Sequence, residues 1–190
     1  MTSNRSAAEQ AEEAALEAEW VPDADGVPHR KAARVVAFDP AGRILLLLGH
    51  DEGDTAHRWY FTPGGGLAAG ESARDGAVRE FREETGVRVE ADRLEGPVLH
   101  RHATFHFVHE TRRQDEEFFT VRLTVAEAEQ AAAQRDATLT LWERELLEGA
   151  AWYAPDNLGT DAVTYPRGLD RMAAAWWRGW DGRVTEIWES

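Results

Sequence analysis

The stretch PGGGLAAGESARDGAVREFREETGV, from Pro63 to Val87, constrains the fold more than any other part of the chain. Three consecutive glycines lead into a segment with helical start and stop signals. Ser72 suits an N-cap, Asp75 stands three residues on in a capping-box-like position, and Gly86 is a natural C′ residue. A helix is therefore expected over 73–85. Ala77, Val78 and Phe81 form its apolar stripe, which must face a core. Glu80, Glu83 and Glu84 fall on the adjacent stripe, where like charges three and four residues apart destabilise a helix unless something neutralises them. The chain must thus set a flexible loop beside a helix that is apolar on one side and carboxylate-rich on the next.

The rest of the chain can supply that core. Its 190 residues, 43% hydrophobic with eight tryptophans, suit one folded domain with extensions at its ends. There is no cysteine, which excludes disulfides and thiolate metal sites. The start of the sequence is acidic and lacks the apolar core of a signal peptide, and the longest apolar run is Ile44 to Leu48. No membrane partner and a cytoplasmic location are expected. The net charge of −14 argues against double-stranded nucleic acid, whose backbone is bound by clustered Lys and Arg. A small polyanion is still compatible when a divalent cation stands between it and the protein. The sequence is equally compatible with a monomer and a homodimer.

Residues Ser3 to Trp20 are rich in Ala and Glu and could form a surface helix, and VPDADGVPH, with two prolines and a glycine, reads as a linker. The division is therefore an acidic extension over 1–29 and a domain over 30–190. AARVVAFD and RILLLLG read as a strand hairpin, Asp51 to His57 as a polar loop, and RWYFTP as a strand entering the glycines. From His100 a strand is expected with His100, His102, Thr104 and His106 on one face and Ala103, Phe105 and Phe107 on the other. TRRQDEE reads as a loop, FFTVRLT as the next strand, Glu127 to Glu145 as polar helix or loop, GAAWYAP as a final short strand, and Leu169 to Trp180 as a helix. Strands and helices mix without regular alternation, which points to an α+β fold.

Three clustered carboxylates raise one another's pKa unless a cation lies between them. Oxygen ligands without thiolates suit a hard cation such as Mg²⁺ or Mn²⁺. The loop Gly64-Gly65-Gly66 can bring its backbone close to that cation because no side chains intervene. Gly76, one turn before Glu80, could leave room for a ligand on the carboxylate face. Arg79 could orient a carboxylate or touch a phosphate oxygen. Read from REFREE alone, a solvated acidic face, the commoner origin of such clusters, explains the glutamates better than a site does.

Gly65, Glu71, Arg79, Glu80, Phe81, Glu83, Glu84, Gly86 and Val87 together match a longer pattern. It resembles the Nudix box, G-x5-E-x7-R-E-U-x-E-E-x-G-U with U apolar, and departs from it only in the size of Phe81, where the family usually has Ile, Leu or Val. The resemblance extends over roughly Arg30 to Met172. It implies a Nudix fold, a mixed sheet sandwiched between helices. It also implies Mg²⁺- or Mn²⁺-assisted attack of water on phosphorus in a diphosphate linked to another group, with a small-molecule nucleoside diphosphate derivative as substrate.

By the same resemblance, Glu80 and Glu84 are the metal ligands. Glu83 is a further ligand or the base, and the Gly64 carbonyl is an additional ligand. Glu71 supports the loop and Arg79 orients a glutamate. Family members often carry one more glutamate on a loop after the box. Of Glu116 and Glu117, the spacing in QDEEFF favours Glu116. A binding module with the box kept for nucleotide sensing is the competing reading, against which the intact Arg79, Glu80, Glu83 and Glu84 stand. ADP-ribose, dinucleotide polyphosphates, sugar nucleotides, oxidised nucleotides and capped RNA share the diphosphate, so the box names a reaction and not a substrate. His100, His102 and His106 are candidates for phosphate or second-metal contacts, and Arg58, Trp59 and Tyr60 for base stacking or core.

Overall fold

The computed structural model describes residues 6, 10, 14–15, 17–51, 54–106, 110–134, 137–140, 144, 147–158 and 163–190, with backbone alone at 51 and 54–57. Phe107, parts of the Ser3–Trp20 and Glu127–Glu145 segments, and part of the Asp51–His57 segment lie outside them. The strands are β1 Val21–Pro22, β2 Pro28–Phe38, β3 Ile44–Asp51, β4 Asp54–Phe61, β5 Gly64–Gly66, β6 Glu95–His106, β7 Thr111–Arg122, β8 Leu147–Tyr153, β9 Val163–Thr164 and β10 Thr185–Glu189. The helices are α1 Ala73–Thr85, α2 Val125–Ala132 and α3 Leu169–Arg178. Among the described residues, no helix is long and apolar enough to cross a membrane.

All ten strands join one mixed sheet in the order β10-β6-β7-β2-β3-β4-β9, with β1 and β5 added on β2 and β8 on β3. β2 is its spine. It runs parallel to β7 along its whole length, while its other edge is shared: β5 pairs with Ala32 to Arg34, and β3 meets it at Phe38. The glycine strand is thereby locked into the sheet.

β2 is buried on both faces, which explains its lack of polar alternation. Ala33, Val35 and Ala37 pack with Leu45, Phe119 and Val121 beneath Ala77 and Phe81 of α1. On the other face Val36, Phe38, Ile44 and Leu46 pack with Phe118 beneath Leu169, Ala173 and Trp176 of α3. Two cores thus sandwich the sheet between helices, as expected for an α+β fold. Phe81 is fully buried among small alanines of β2, so the bulk of this side chain is absorbed at the helix–sheet contact.

Four segments differ from the sequence reading. The segment read as a linker is a β1–β2 hairpin, turned by Asp23 Oδ1, which accepts from the amides of Asp25 and Val27 at 2.9 and 3.0 Å. Asp54 to His57, read as loop, begins β4, because β3 carries the ladder through to Asp51↔Asp54. TRRQDEE is strand, not loop: its residues pair with β2 on one side and β6 on the other. Lastly, β8 is not the final strand, since Val163–Thr164 and Thr185–Glu189 add to β4 and β6.

Candidate active site

The helix forms where the sequence puts it. The Ser72 hydroxyl caps α1 by accepting from the Asp75 amide at 3.2 Å, and Gly86 closes it in the left-handed region with φ 75°. Pinned at both ends, α1 turns Glu80 and Glu84, 8% and 3% exposed, toward β5, and leaves the Glu83 side chain 41% exposed.

The glycines are required by this approach. A Cβ on Gly64 (φ +142°) would collide with the Ala33 carbonyl, and one on Gly65 would sit 2.7 Å from Cδ of Glu80. With no side chain in the way, the Gly64 amide donates to Oε2 of Glu84 at 2.7 Å. Loop and carboxylate face therefore meet as the sequence suggests. Gly76 has another role: a Cβ there would collide with Leu67 and crowd the Glu71 carboxylate. It admits loop side chains rather than a ligand.

Arg79 ties the two halves together. Nε and Nη2 donate to the Glu71 carboxylate, both at 2.9 Å, and Nη2 also donates to the Gly66 carbonyl at 2.9 Å. Nη1 donates to Glu80 at 2.6 Å and Glu83 at 3.1 Å. The Glu71 hydrogen bonds, followed by the neighbouring Glu80 charge, raise the Arg79 pKa, and Arg79 in turn holds Glu71 below the usual carboxylate range. Glu71 also accepts from the Ala68 amide at 2.9 Å, consistent with support of the loop. Arg79 thus orients glutamates, and phosphate contact is not required to account for it.

Glu116 lies elsewhere than expected. It stands in β7, opposite Ala32 of β2 and Arg101 of β6, and is 1% exposed. Its carboxylate accepts from Arg34 Nε at 2.5 Å, Arg101 Nη1 at 2.6 Å and the Gln114 amide at 2.6 Å. Burial acts to raise its pKa, but the charges and hydrogen bonds of Arg34 and Arg101 outweigh it and hold the group down to about 2. Such a carboxylate stays ionised and is a poor base. The register sets Glu117, not Glu116, in one row with Ala33 and Gly65 on the side facing α1.

Arg34 is the residue that sequence reasoning missed. Its Nη1 donates to the carbonyls of Thr62 (3.0 Å) and Gly64 (3.2 Å) while Nε holds Glu116, so it fixes the glycine loop from beneath. The signal was an arginine between Ala33 and Val35 in the otherwise apolar run from Ala32 to Phe38.

Among the described residues, no three acidic or histidine side chains form a ready metal cage. The histidines disperse: His102 bonds Asp115 (2.7 Å) and Glu186 (3.1 Å), His106 bonds Thr111, and the buried Nε2 of His100 has no hydrogen-bond partner. Tyr60 is core, its hydroxyl accepting from Tyr153 at 2.9 Å. At α1, by contrast, the donor set fits a hard cation. Glu71, Glu80 and Glu83 converge on the guanidinium of Arg79, and nearly buried Glu84 lies at the Gly64 amide, with the charge of Arg34 acting on both Glu80 and Glu84, so four carboxylates gather at one place.

Several comparisons agree with this geometry. An RNA pyrophosphohydrolase of Bartonella tribocorum is 39% identical over 67 residues, covering 33% of this chain and 38% of that protein. One from Dinoroseobacter shibae is 44% identical over 68 residues, covering 36% and 41%. The chain thus spans about two fifths of the length of these relatives. A MutT protein from Methanosarcina mazei Go1 shares the fold, with a TM-score of 0.53 at 18% identity over 80% of this chain and 95% of that one. The NUDIX domain model matches residues 28–172, and with the box residues assembled as described, the chain belongs to the NUDIX family.

Proposed function

We propose that the chain is a divalent-metal-dependent hydrolase that cleaves a diphosphate linkage in a nucleoside diphosphate derivative. The observation that carries this reading is the apposition of Gly64 and Gly65 to the Glu84 and Glu80 carboxylates. Glu80 and Glu84 would hold Mg²⁺ or Mn²⁺, with Glu83 and the Gly64 carbonyl as further ligands. When bound, the cation lowers the pKa of a water and offsets charge developing on the phosphoryl oxygens.

The chain's own residues position and take protons. Glu83, the most exposed of the three glutamates, would accept a proton from the attacking water where it is not itself a ligand, a role its contact with solvent supports. Arg79 fixes the Glu80 and Glu83 carboxylates at the orientation this requires. Glu116 acts through Arg34, whose guanidinium it holds on the Gly64 carbonyl, and is thus a positioning residue rather than a base. The relatives named RNA pyrophosphohydrolase make RNA with a 5′-triphosphate a first substrate to try.

The experiment is a panel of nucleoside diphosphate derivatives and 5′-triphosphate RNA, incubated with Mg²⁺ or Mn²⁺ and followed by phosphate and pyrophosphate release. Turnover that needs the metal and drops in Glu84→Gln is expected. Tight nucleotide binding without turnover of any member would replace this reading with a sensing module.

A further inference from the structure

The segment ahead of the sheet is seated on the glycine loop. Oε2 of Glu19 accepts from Nη1 of Arg30 at 2.9 Å and lies so close to Gly66 that a Cβ there would collide with it. Gly66 ends β5, and its carbonyl is the one that Arg79 holds. Arg30 is braced from behind: its Nε donates to Gln114 at 2.5 Å, and Gln114 donates to Glu116. The Trp20 ring packs against two guanidiniums, with Cζ of Arg30 and of Arg112 at 4.4 and 4.9 Å from its centroid. Arg112 Nη2 then bonds Glu17 at 3.1 Å, and its Nε donates to Glu110 at 2.7 Å.

Arg30, beside the glycine loop, and Arg112, against the same Trp20 ring, each have a side chain 19% exposed, and each is met by a carboxylate from the same short segment. A largely buried guanidinium needs an anion, because burial disfavours its charge. The anions present are weak competitors. Each is one charge, and the Glu17 side chain is mostly in water, where such pairs contribute roughly 0–1 kcal/mol. A phosphate chain carries several charges and presents paired oxygens that match the guanidinium fork.

Building on the proposed hydrolase, we propose that Arg30 and Arg112 form an anion subsite beside the glycine loop. It takes the part of a polyphosphate that extends past the scissile diphosphate, and Glu19, Glu17 and Glu110 fill it in the free protein. The favoured substrates then carry three or more linked phosphates, and the acidic segment screens the subsite against shorter anions.

Calorimetric titration of the full chain with inorganic tripolyphosphate in metal-free buffer tests this independently of turnover. Glu19→Gln is expected to tighten binding about fivefold or more, a shift of roughly 1 kcal/mol. Adding Arg30→Gln or Arg112→Gln to Glu19→Gln should erase the gain. Glu148→Gln removes the same charge from a surface pair with Arg58 and should change nothing. In steady state, Glu19→Gln should lower KM for a triphosphate substrate and leave kcat in place. Unchanged or weaker binding in Glu19→Gln would overturn the subsite, as would an equal gain in Glu148→Gln. Absence of turnover alongside the binding gain would count against the hydrolase and not against the subsite.

Discussion

Two charge-rich regions share the glycine loop and are built on opposite principles. Above it, on α1, Glu71, Glu80 and Glu83 crowd around one arginine, and Glu83 is open to water. Below it, Glu116 is enclosed by Arg34 and Arg101, and Arg101 is paired again with Glu189. The lower charges are matched and sealed, which is how a buried ion pair can persist without water. The upper carboxylates share the one guanidinium of Arg79, and Glu80 and Glu84 also feel the charge of Arg34, a crowded arrangement that we propose a cation completes. Both sets meet one residue, Gly64: Arg34 donates to its carbonyl, and Glu84 accepts from its amide. The scaffold below holds still what the site above must use.

The sharpest way to break this contrast is to unseal the lower set. Glu116→Ala leaves two guanidiniums without their carboxylate and should cost about 3–5 kcal/mol of stability, read from denaturant unfolding. A milder loss, near that of a surface substitution, would mean that the network is not structural. The upper set should respond in the other currency. Glu84→Gln should lower kcat/KM roughly 100-fold or more with little change in melting temperature, since ligand loss should exceed the 10–100-fold typical of outer-shell partners. Gly65→Ala pushes a methyl into the Glu80 carboxylate, which sits 2.7 Å from that position. Its expected loss is about tenfold in kcat/KM, roughly 1.4 kcal/mol.

A further effect is a pH dependence. Glu116 is held at about 2 against an ordinary 4.5, so the unfolded chain takes up a proton there first. Its contribution to stability is complete above about pH 4.5 and is lost as pH falls toward 2. The acid limb of a stability–pH profile should therefore flatten in Glu116→Gln, and an unaltered limb would show that the pairing is not what shifts the group.

The upper region was legible in the sequence and the lower one was not. Helix 73–85 and the loop were readable because capping residues, glycines and apolar spacing act locally. The lower network depends on register across three strands, which no local pattern encodes. TRRQDEE looked like a loop because polarity marks solvent in a periodic reading. Here Gln114 and Glu116 are polar and buried, made tolerable by Arg30, Arg34 and Arg101 from neighbouring strands. The same blindness put Glu116 ahead of Glu117 and passed over Arg34. Glu19 was out of reach for a related reason, since its partners are Arg30 and the backbone of Gly66, 47 residues later in the chain.

The central claim is that the crowded carboxylates of α1 take a cation while Glu116, enclosed by Arg34 and Arg101 beneath them, does not. Titration of Mn²⁺ into the metal-free protein, followed by electron paramagnetic resonance, addresses it without any substrate. The account predicts one site in the wild type, weakened at least tenfold in Glu84→Gln and kept in a folded Glu116→Gln protein. Equal Mn²⁺ affinity in the wild type and Glu84→Gln would contradict it.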